Sequence, residues 1–148
     1  MPIRLIPRLA LPLLLLSSLA VQADEAADEA KFLKDSVAYF DQITRTNLPH
    51  QVDKVTTLNS VQLDPAKKML YYRYAISSLR MDQMDLGARA KFENGLKSQL
   101  ESTTCQQTEL LQRFREHHLS VTHEYTGSDG KPLASITIDP QALSCAKS

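Results

Sequence analysis

The sequence predicts an α+β domain with helices packed on a four-stranded antiparallel sheet, built from two hairpins in the order α-ββ-αα-ββ. Three observations predict it. Two pairs of strand-like runs are each joined by a short turn signal, at Asp64-Pro65-Ala66-Lys67 and at Gly127-Ser128-Asp129-Gly130. Runs with helical periodicity stand before the first pair and between the two pairs. Strands therefore come in pairs and do not alternate singly with helices, which disfavours a doubly wound nucleotide-binding fold.

The elements follow in order. Asp24 to Thr46 is expected to be helix, with Ala26, Ala30, Leu33, Val37 and Phe40 as its buried stripe. Asp24, Glu25, Asp28 and Glu29 would crowd its first turn, where the helix dipole favours negative charge. Asn47-Leu48-Pro49 ends it, because proline disfavours a helical conformation in the residue before it. Val52 to Leu63 is rich in Val and Thr and reads as a strand whose imperfect alternation suggests a bulge. In the next strand Leu70, Tyr72, Tyr74 and Ile76 share one face, and Met69, Tyr71, Arg73 and Ala75 the other. Large side chains on both faces place this strand inside the sheet with cover on each side.

Ser77 to Met81 leads into a second helical region. Met84, Ala88, Phe92, Leu96 and Leu100 step by four, and Gly95 would permit close approach of a neighbour. Thr104 and Gln107 fit a capping box, predicting a break and a fresh helix through His117 with Leu110, Leu111 and Phe114 as core. Leu119, Val121, His123 and Tyr125 then alternate with polar residues, and Ala134, Ile136 and Ile138 return as the partner strand before Asp139-Pro140 stops it.

The N-terminus carries a different signal. Arg4 and Arg8 precede the apolar run Leu9 to Ala20, and Val21-Gln22-Ala23 places small residues before a cut that Asp24-Glu25 would follow. That is the order of a secretory signal peptide over residues 1–23, leaving a single α+β domain over 24–148. The uncharged run is shorter than the roughly 20 residues needed to cross a bilayer. A processed chain without this leader is expected to have no membrane anchor and to work in the periplasm or outside the cell.

With 17 basic and 17 acidic side chains and 43% hydrophobic residues, the 148-residue chain fits neither a disordered protein nor a basic nucleic-acid binder. Its two cysteines, Cys105 and Cys145, stand far apart in sequence. In an oxidising compartment such a pair is expected to form a structural disulfide, whereas redox pairs normally use Cys-x-x-Cys proximity.

No catalytic, cofactor-binding or metal site can be written from the sequence. Its glycines, at 87, 95, 127 and 130, form no dinucleotide fingerprint, phosphate loop or Gly-x-Ser-x-Gly elbow. His117, His118 and His123 lack further ligands nearby, and the histidine pair suits a helix C-terminus. Met69, Met81 and Met84 fall at core spacings rather than as a soft-metal cluster. Asp82/Asp85 and Asp28/Glu29 lie in first helical turns as dipole partners. The most suggestive surface is Tyr71 and Arg73 with Lys67 and Lys68, since tyrosine flanked by cations suits a protein or glycan partner.

Leu48-Pro49-x-x-Val52-Asp53-x-x-Thr56-x-Leu58-x-x-Val61, followed by Leu70-Tyr71-Tyr72-Arg73-Tyr74, resembles the first half of a small exported bacterial family. The second half is matched by Cys105, the Leu110-to-Phe114 helix, His123-Glu124-Tyr125, Gly130-Lys131 and Cys145. These are the quorum-sensing-regulated virulence factors known mainly from pseudomonads. The resemblance covers residues 48–145 and implies a secreted or periplasmic protein with helices on an antiparallel sheet; it carries over no catalytic residue. The expected function is that of an exported, non-enzymatic binding or virulence-associated factor. The competing expectations are a small periplasmic hydrolase with a dispersed site, and an envelope chaperone or adaptor marked by an apolar groove beside the sheet.

Overall fold

The computed structural model describes residues 16–145, with side chains from 22 onward. Two units can be described: the segment ending at Leu33, and Lys34 onward, which holds the sheet and every site considered below. Of the expected leader, residues 1–15 lie outside the described residues. Helix α1, Leu16–Asn47, begins upstream of the expected cut, so the acids at 24–29 do not form its first turn. Ala26 and Ala30 are exposed, and only Leu33, Val37 and Phe40 of the expected stripe are half-buried. Among the described residues no helix is long and apolar enough to cross a membrane.

The sheet corrects the predicted fold class. It has five strands in spatial order β1-β2-β3-β4-β5: β1 His50–Gln51, β2 Thr56–Asp64, β3 Met69–Ile76, β4 Ser120–Thr126 and β5 Pro132–Ile138. Neighbours are antiparallel except β3 and β4, which run parallel, with Tyr72 opposite His123 and Tyr74 opposite Tyr125. The sheet is therefore mixed, and the element order is α-β-β-β-α-α-β-β.

The two intervening helices explain the parallel pair. Helix α2, Leu86–Gln106, has 21 residues and α3, Thr108–Glu116, only nine. At 1.5 Å per residue α2 spans about 30 Å, more than the roughly 26 Å of an eight-residue strand. It thus returns the chain to the end where β3 began, while α3 is too short to carry it back again. Ser120 accordingly donates its N–H to the Lys68 carbonyl at 3.0 Å, and the second hairpin joins the first in parallel.

The run expected as one strand over 52–63 opens as a turn, and the strand starts only at Thr56. Asp53 Oδ1 accepts the N–H groups of Val55 and Thr56, both at 2.8 Å, turning the chain between β1 and β2. The expected bulge falls inside β2, between Leu58 and Ser60. Because β1 is so short, it leaves much of the β2 edge uncovered. Thr44 of α1 fills part of that gap: its hydroxyl accepts the Val61 N–H at 3.0 Å and donates to the Val61 carbonyl at 2.8 Å. Val61 is buried, so Thr44→Val should cost about 2 kcal/mol by stranding two backbone groups. Chemical denaturation of the two proteins would measure it.

The helical turnings also differ in detail from expectation. Asp85 caps α2 by accepting the Ala88 N–H at 2.7 Å. Thr104 bonds back to the Leu100 carbonyl at 2.7 Å and makes no capping box, and α3 starts after Gln107 without a side-chain cap. Ala88 is exposed, and no neighbour approaches Gly95. Gly127 is the glycine that close approach requires, since a Cβ there would stand 2.8 Å from the Leu79 carbonyl oxygen.

At the end of α3, His118 takes φ +52°. Its N–H reaches the Arg115 carbonyl at 3.2 Å, and the Leu119 N–H reaches the Phe114 carbonyl at 2.8 Å, which is a Schellman ending. The paired histidines are thus explained by local backbone geometry. Since that conformation suits glycine, His118→Gly should stabilise the protein by about 0.5–1 kcal/mol, read as a raised denaturation midpoint.

The core lies on one face of the sheet. Ile76, Tyr125, Leu133, Ala134, Ile136 and Ile138 are buried there, with Phe92, Leu96 and Leu100 of α2 and Leu143 packed against them. Cys105, at the end of α2, is bonded to Cys145 with Cα atoms 5.5 Å apart.

Candidate functional site

Helices α2 and α3 do not close completely over the sheet. Between them and the β3–β4 pair lies a cavity of about 200 Å³. Its floor is Tyr72, Tyr74, Val121 and His123, and its walls come from Leu100, Thr103, Thr104 and Gln107 on the α2 side and Leu110, Leu111 and Phe114 on α3. Leu111 and Phe114 are buried as the α3 periodicity predicts, whereas Leu110 keeps 38% of its surface exposed at the rim. Expecting Leu110 in the core was therefore wrong: successive residues lie about 100° apart around a helix, so Leu110 and Leu111 cannot share one face.

Parallel registration of β3 and β4 builds the floor. Tyr72 and His123 stack at 5.2 Å between ring centroids, Tyr74 and His123 at 5.9 Å, and Tyr74 and Tyr125 at 4.8 Å, with interplanar angles of 12 to 14°. Phe92 meets Tyr125 edge-on at 6.5 Å. The Tyr74 hydroxyl and His123 Nδ1 form a long hydrogen bond of 3.4 Å.

Burial keeps this floor uncharged. It lowers the His123 pKa to about 4, pushes Tyr125 up to about 12, and raises Tyr72 and Tyr74 as well. At neutral pH the floor is thus a neutral imidazole among protonated phenols. No serine or cysteine nucleophile lines the cavity, and its lining suits recognition of an apolar side chain, with the ring heteroatoms available for orientation.

The residues singled out from the sequence lie on the other face. Arg73 Nε donates to Glu124 Oε2 at 2.8 Å, Arg73 Nη1 donates to Gln62 Oε1, and the guanidinium carbon lies 5.4 Å from the Tyr71 ring centroid. Lys67 Nζ is 3.5 Å from Asp64 Oδ2, and Lys68 Nζ donates to the His117 carbonyl at 3.3 Å, at the negative end of α3. Tyr71 and Arg73 therefore stand together, while the two lysines are engaged in the β2–β3 turn and in helix capping. Tyr72, Tyr74 and His123 were legible as one face of their strands. Their meeting across a parallel pair was not.

Among the described residues no three His, Cys, Asp or Glu side chains are grouped as a metal site would require. No family model matches the chain, and no curated protein matches it in sequence. Solved structures do share its fold. A Pseudomonas aeruginosa protein assigned as secreted superposes with a TM-score of 0.56 at 12% identity, over 79% of this chain and 94% of that one. EpsS, the type 2 secretion system pilotin of Vibrio vulnificus, gives 0.56 at 9% identity, over 81% and 99%. AspS, the type II secretion system pilotin of Vibrio cholerae, gives 0.51 at 11% identity, over 78% and 96%. At these identities the likeness is one of fold, shared with a protein assigned as secreted and with two secretion pilotins.

Proposed function

We propose that this chain is an exported, non-enzymatic adaptor of the cell envelope that binds another protein by taking one of its apolar side chains into the Tyr72–His123–Leu110 groove. The observation that carries the reading is the cavity itself: an aromatic floor of Tyr72, Tyr74 and His123 under apolar walls from Leu100, Leu110, Leu111 and Phe114. At about 200 Å³ it has the scale of one or two large apolar side chains. The Arg4/Arg8 start, apolar run and Val21-Gln22-Ala23 site support export after cleavage near residue 23. The Cys105–Cys145 bond fits an oxidising compartment. Fold likeness to two secretion pilotins supports an assembly role in the envelope. Control by quorum sensing and a part in virulence, which the sequence resemblance implies, are compatible with this role.

The open face is a second candidate surface, favoured by the Tyr71 ring beneath the Arg73 guanidinium. Two variants separate the surfaces in capture experiments from native envelope extract. Leu110→Asp places a charge at the groove rim and should lower partner recovery about tenfold without unfolding the protein, because the residue is already part exposed. Tyr71→Ala with Arg73→Ala should leave recovery intact. The reverse pattern would move the binding surface to the open face. Reproducible turnover in a hydrolase screen, abolished by one point mutation, would favour the enzymatic reading instead.

A further inference from the structure

Strand register sets a grid of side chains on the open face of the sheet. Arg73 of β3 is paired with Ser60 of β2 on one side and Glu124 of β4 on the other, and Tyr71 is paired with Gln62 and Thr122. Ser135 and Thr137 of β5 continue the two rows, opposite Glu124 and Thr122. All these pairs fall within unbroken stretches of register, where paired residues, and residues two apart on a strand, project to the same side. Neither row contains an aliphatic residue, and Tyr71 supplies their one large apolar surface. The polar side chains hold one another. Arg73 Nε donates to Glu124 Oε2 at 2.8 Å, Nη1 donates to Gln62 Oε1, and the guanidinium carbon stands 5.4 Å from the Tyr71 ring centroid. Among the described residues, Arg73 Nη2, Glu124 Oε1 and Gln62 Nε2 have no protein partner. With 42% and 37% of their side-chain surfaces exposed, Arg73 and Glu124 are both reachable from solvent.

We infer that this face binds a neutral pyranose oligosaccharide. One sugar hydroxyl accepts from Arg73 Nη2 while donating to Glu124 Oε1, a neighbouring hydroxyl accepts from Gln62 Nε2, and the C–H surface of the sugar packs on Tyr71. Charge complementarity selects this class of ligand. An anion drawn to Arg73 meets the Glu124 carboxylate bonded to the same guanidinium, and a cation drawn to Glu124 meets Arg73, so neither finds an unopposed partner. An apolar protein segment finds no aliphatic contact in either row. A sugar hydroxyl donates and accepts at once and carries no charge, which suits a free donor beside a free acceptor on a neutral pair. Because Arg73, Glu124 and Gln62 already restrain one another, little further ordering is needed on binding. The aromatic groove lies on the opposite side of the sheet, and the sugar site stands whatever the groove holds.

Amide NMR of the isotope-labelled chain, titrated with neutral tetrasaccharides of glucose, mannose and N-acetylglucosamine, tests the site. At least one of these sugars is expected to give saturable shifts at millimolar concentration, centred on Gln62, Arg73 and Glu124. Arg73→Lys keeps the charge but loses the forked donor and should weaken binding about tenfold. Gln62→Ala, at an exposed position, should weaken it severalfold without disturbing the fold. Leu110→Asp, on the far side of the sheet, should leave it unchanged. Circular dichroism matching the parent would verify that each variant is folded. No saturable shift on this face with any of the three sugars, or shifts indifferent to both Arg73→Lys and Gln62→Ala, would overturn the proposal. Tighter binding of a heparin-derived tetrasaccharide than of all three would also overturn it and make the face an anion site.

Discussion

Replacing Cys105 and Cys145 together by alanine is expected to destabilise the protein by about 4 kcal/mol, the chain-entropy value for a loop closed over a sequence separation of 40. Alanine should lose little packing here, because both positions are only partly buried. The effect should therefore come mostly from the freed unfolded chain. Reduction of the native protein should lower stability by a similar amount, measured by guanidinium denaturation with and without dithiothreitol. The tail has other tethers. Arg115 Nε and Nη2 donate to the carbonyls of Pro140 and Leu143, each at 2.8 Å, and the Gln141 side-chain amide donates to the Arg115 carbonyl at 2.7 Å. Pro140 is fully buried, and Leu143 packs against the core. The reduced protein should consequently stay folded at room temperature, with hydrogen exchange accelerated first in residues after Asp139. A loss below about 1 kcal/mol on reduction would mean that these tethers already restrict the chain as much as the bond does.

The second large effect is acid destabilisation through His123. Burial among Tyr72, Tyr74 and Tyr125 lowers its pKa to about 4, from an ordinary value of 6.5. The unfolded chain therefore binds a proton that the folded chain refuses in the interval between those values. Stability is fully present above pH 6.5 and falls as pH drops toward 4, by about 3 kcal/mol in all. Carboxylates contribute in a different window. Asp53 is held low by the Val55 N–H, Asp64 by the Lys67 N–H and Asp82 by the Arg80 side chain, so their losses begin only near 3.8 and below. His123→Phe keeps an aromatic ring in the stack and removes the titrating group. It should match the parent within about 1 kcal/mol at pH 7 and lose most of the slope between pH 6.5 and 4. Urea denaturation at several pH values would measure both. An unchanged slope in the variant would assign the acid sensitivity to other groups.

Local chemistry made much of the fold legible. Asp64 was placed in a turn from sequence, and its Oδ1 accepts the N–H groups of Ala66 and Lys67 there, both at 3.1 Å. Gly130 takes φ +73° in the β4–β5 turn where the glycine-rich signal stood. Leu119, Val121, His123 and Tyr125 are all buried, as their alternation predicted. Relations between distant segments escaped. The parallel β3–β4 pair depends on the unequal lengths of α2 and α3, and the boundary between those helices was sought in a Thr104 cap that does not form. A two-residue strand such as β1 offers no periodicity to detect. The groove depends on such relations, because its floor exists only when Tyr72 lies opposite His123 and its rim only when Leu110 turns away from Leu111. Tyr71 and Arg73 are conspicuous for the opposite reason: they are large side chains on a β3 face that the sequence expects to be covered, and the structure leaves them half-buried.

The groove is tested most directly by placing a photoreactive amino acid at position 110 of the tagged chain in its native cell and identifying what becomes attached on illumination. One envelope protein joined at position 110, and absent when the probe stands at position 71, is the outcome expected if the α2–α3 cleft holds the partner. Attachment at position 71 with none at 110 would contradict that account and transfer recognition to the open face of the sheet.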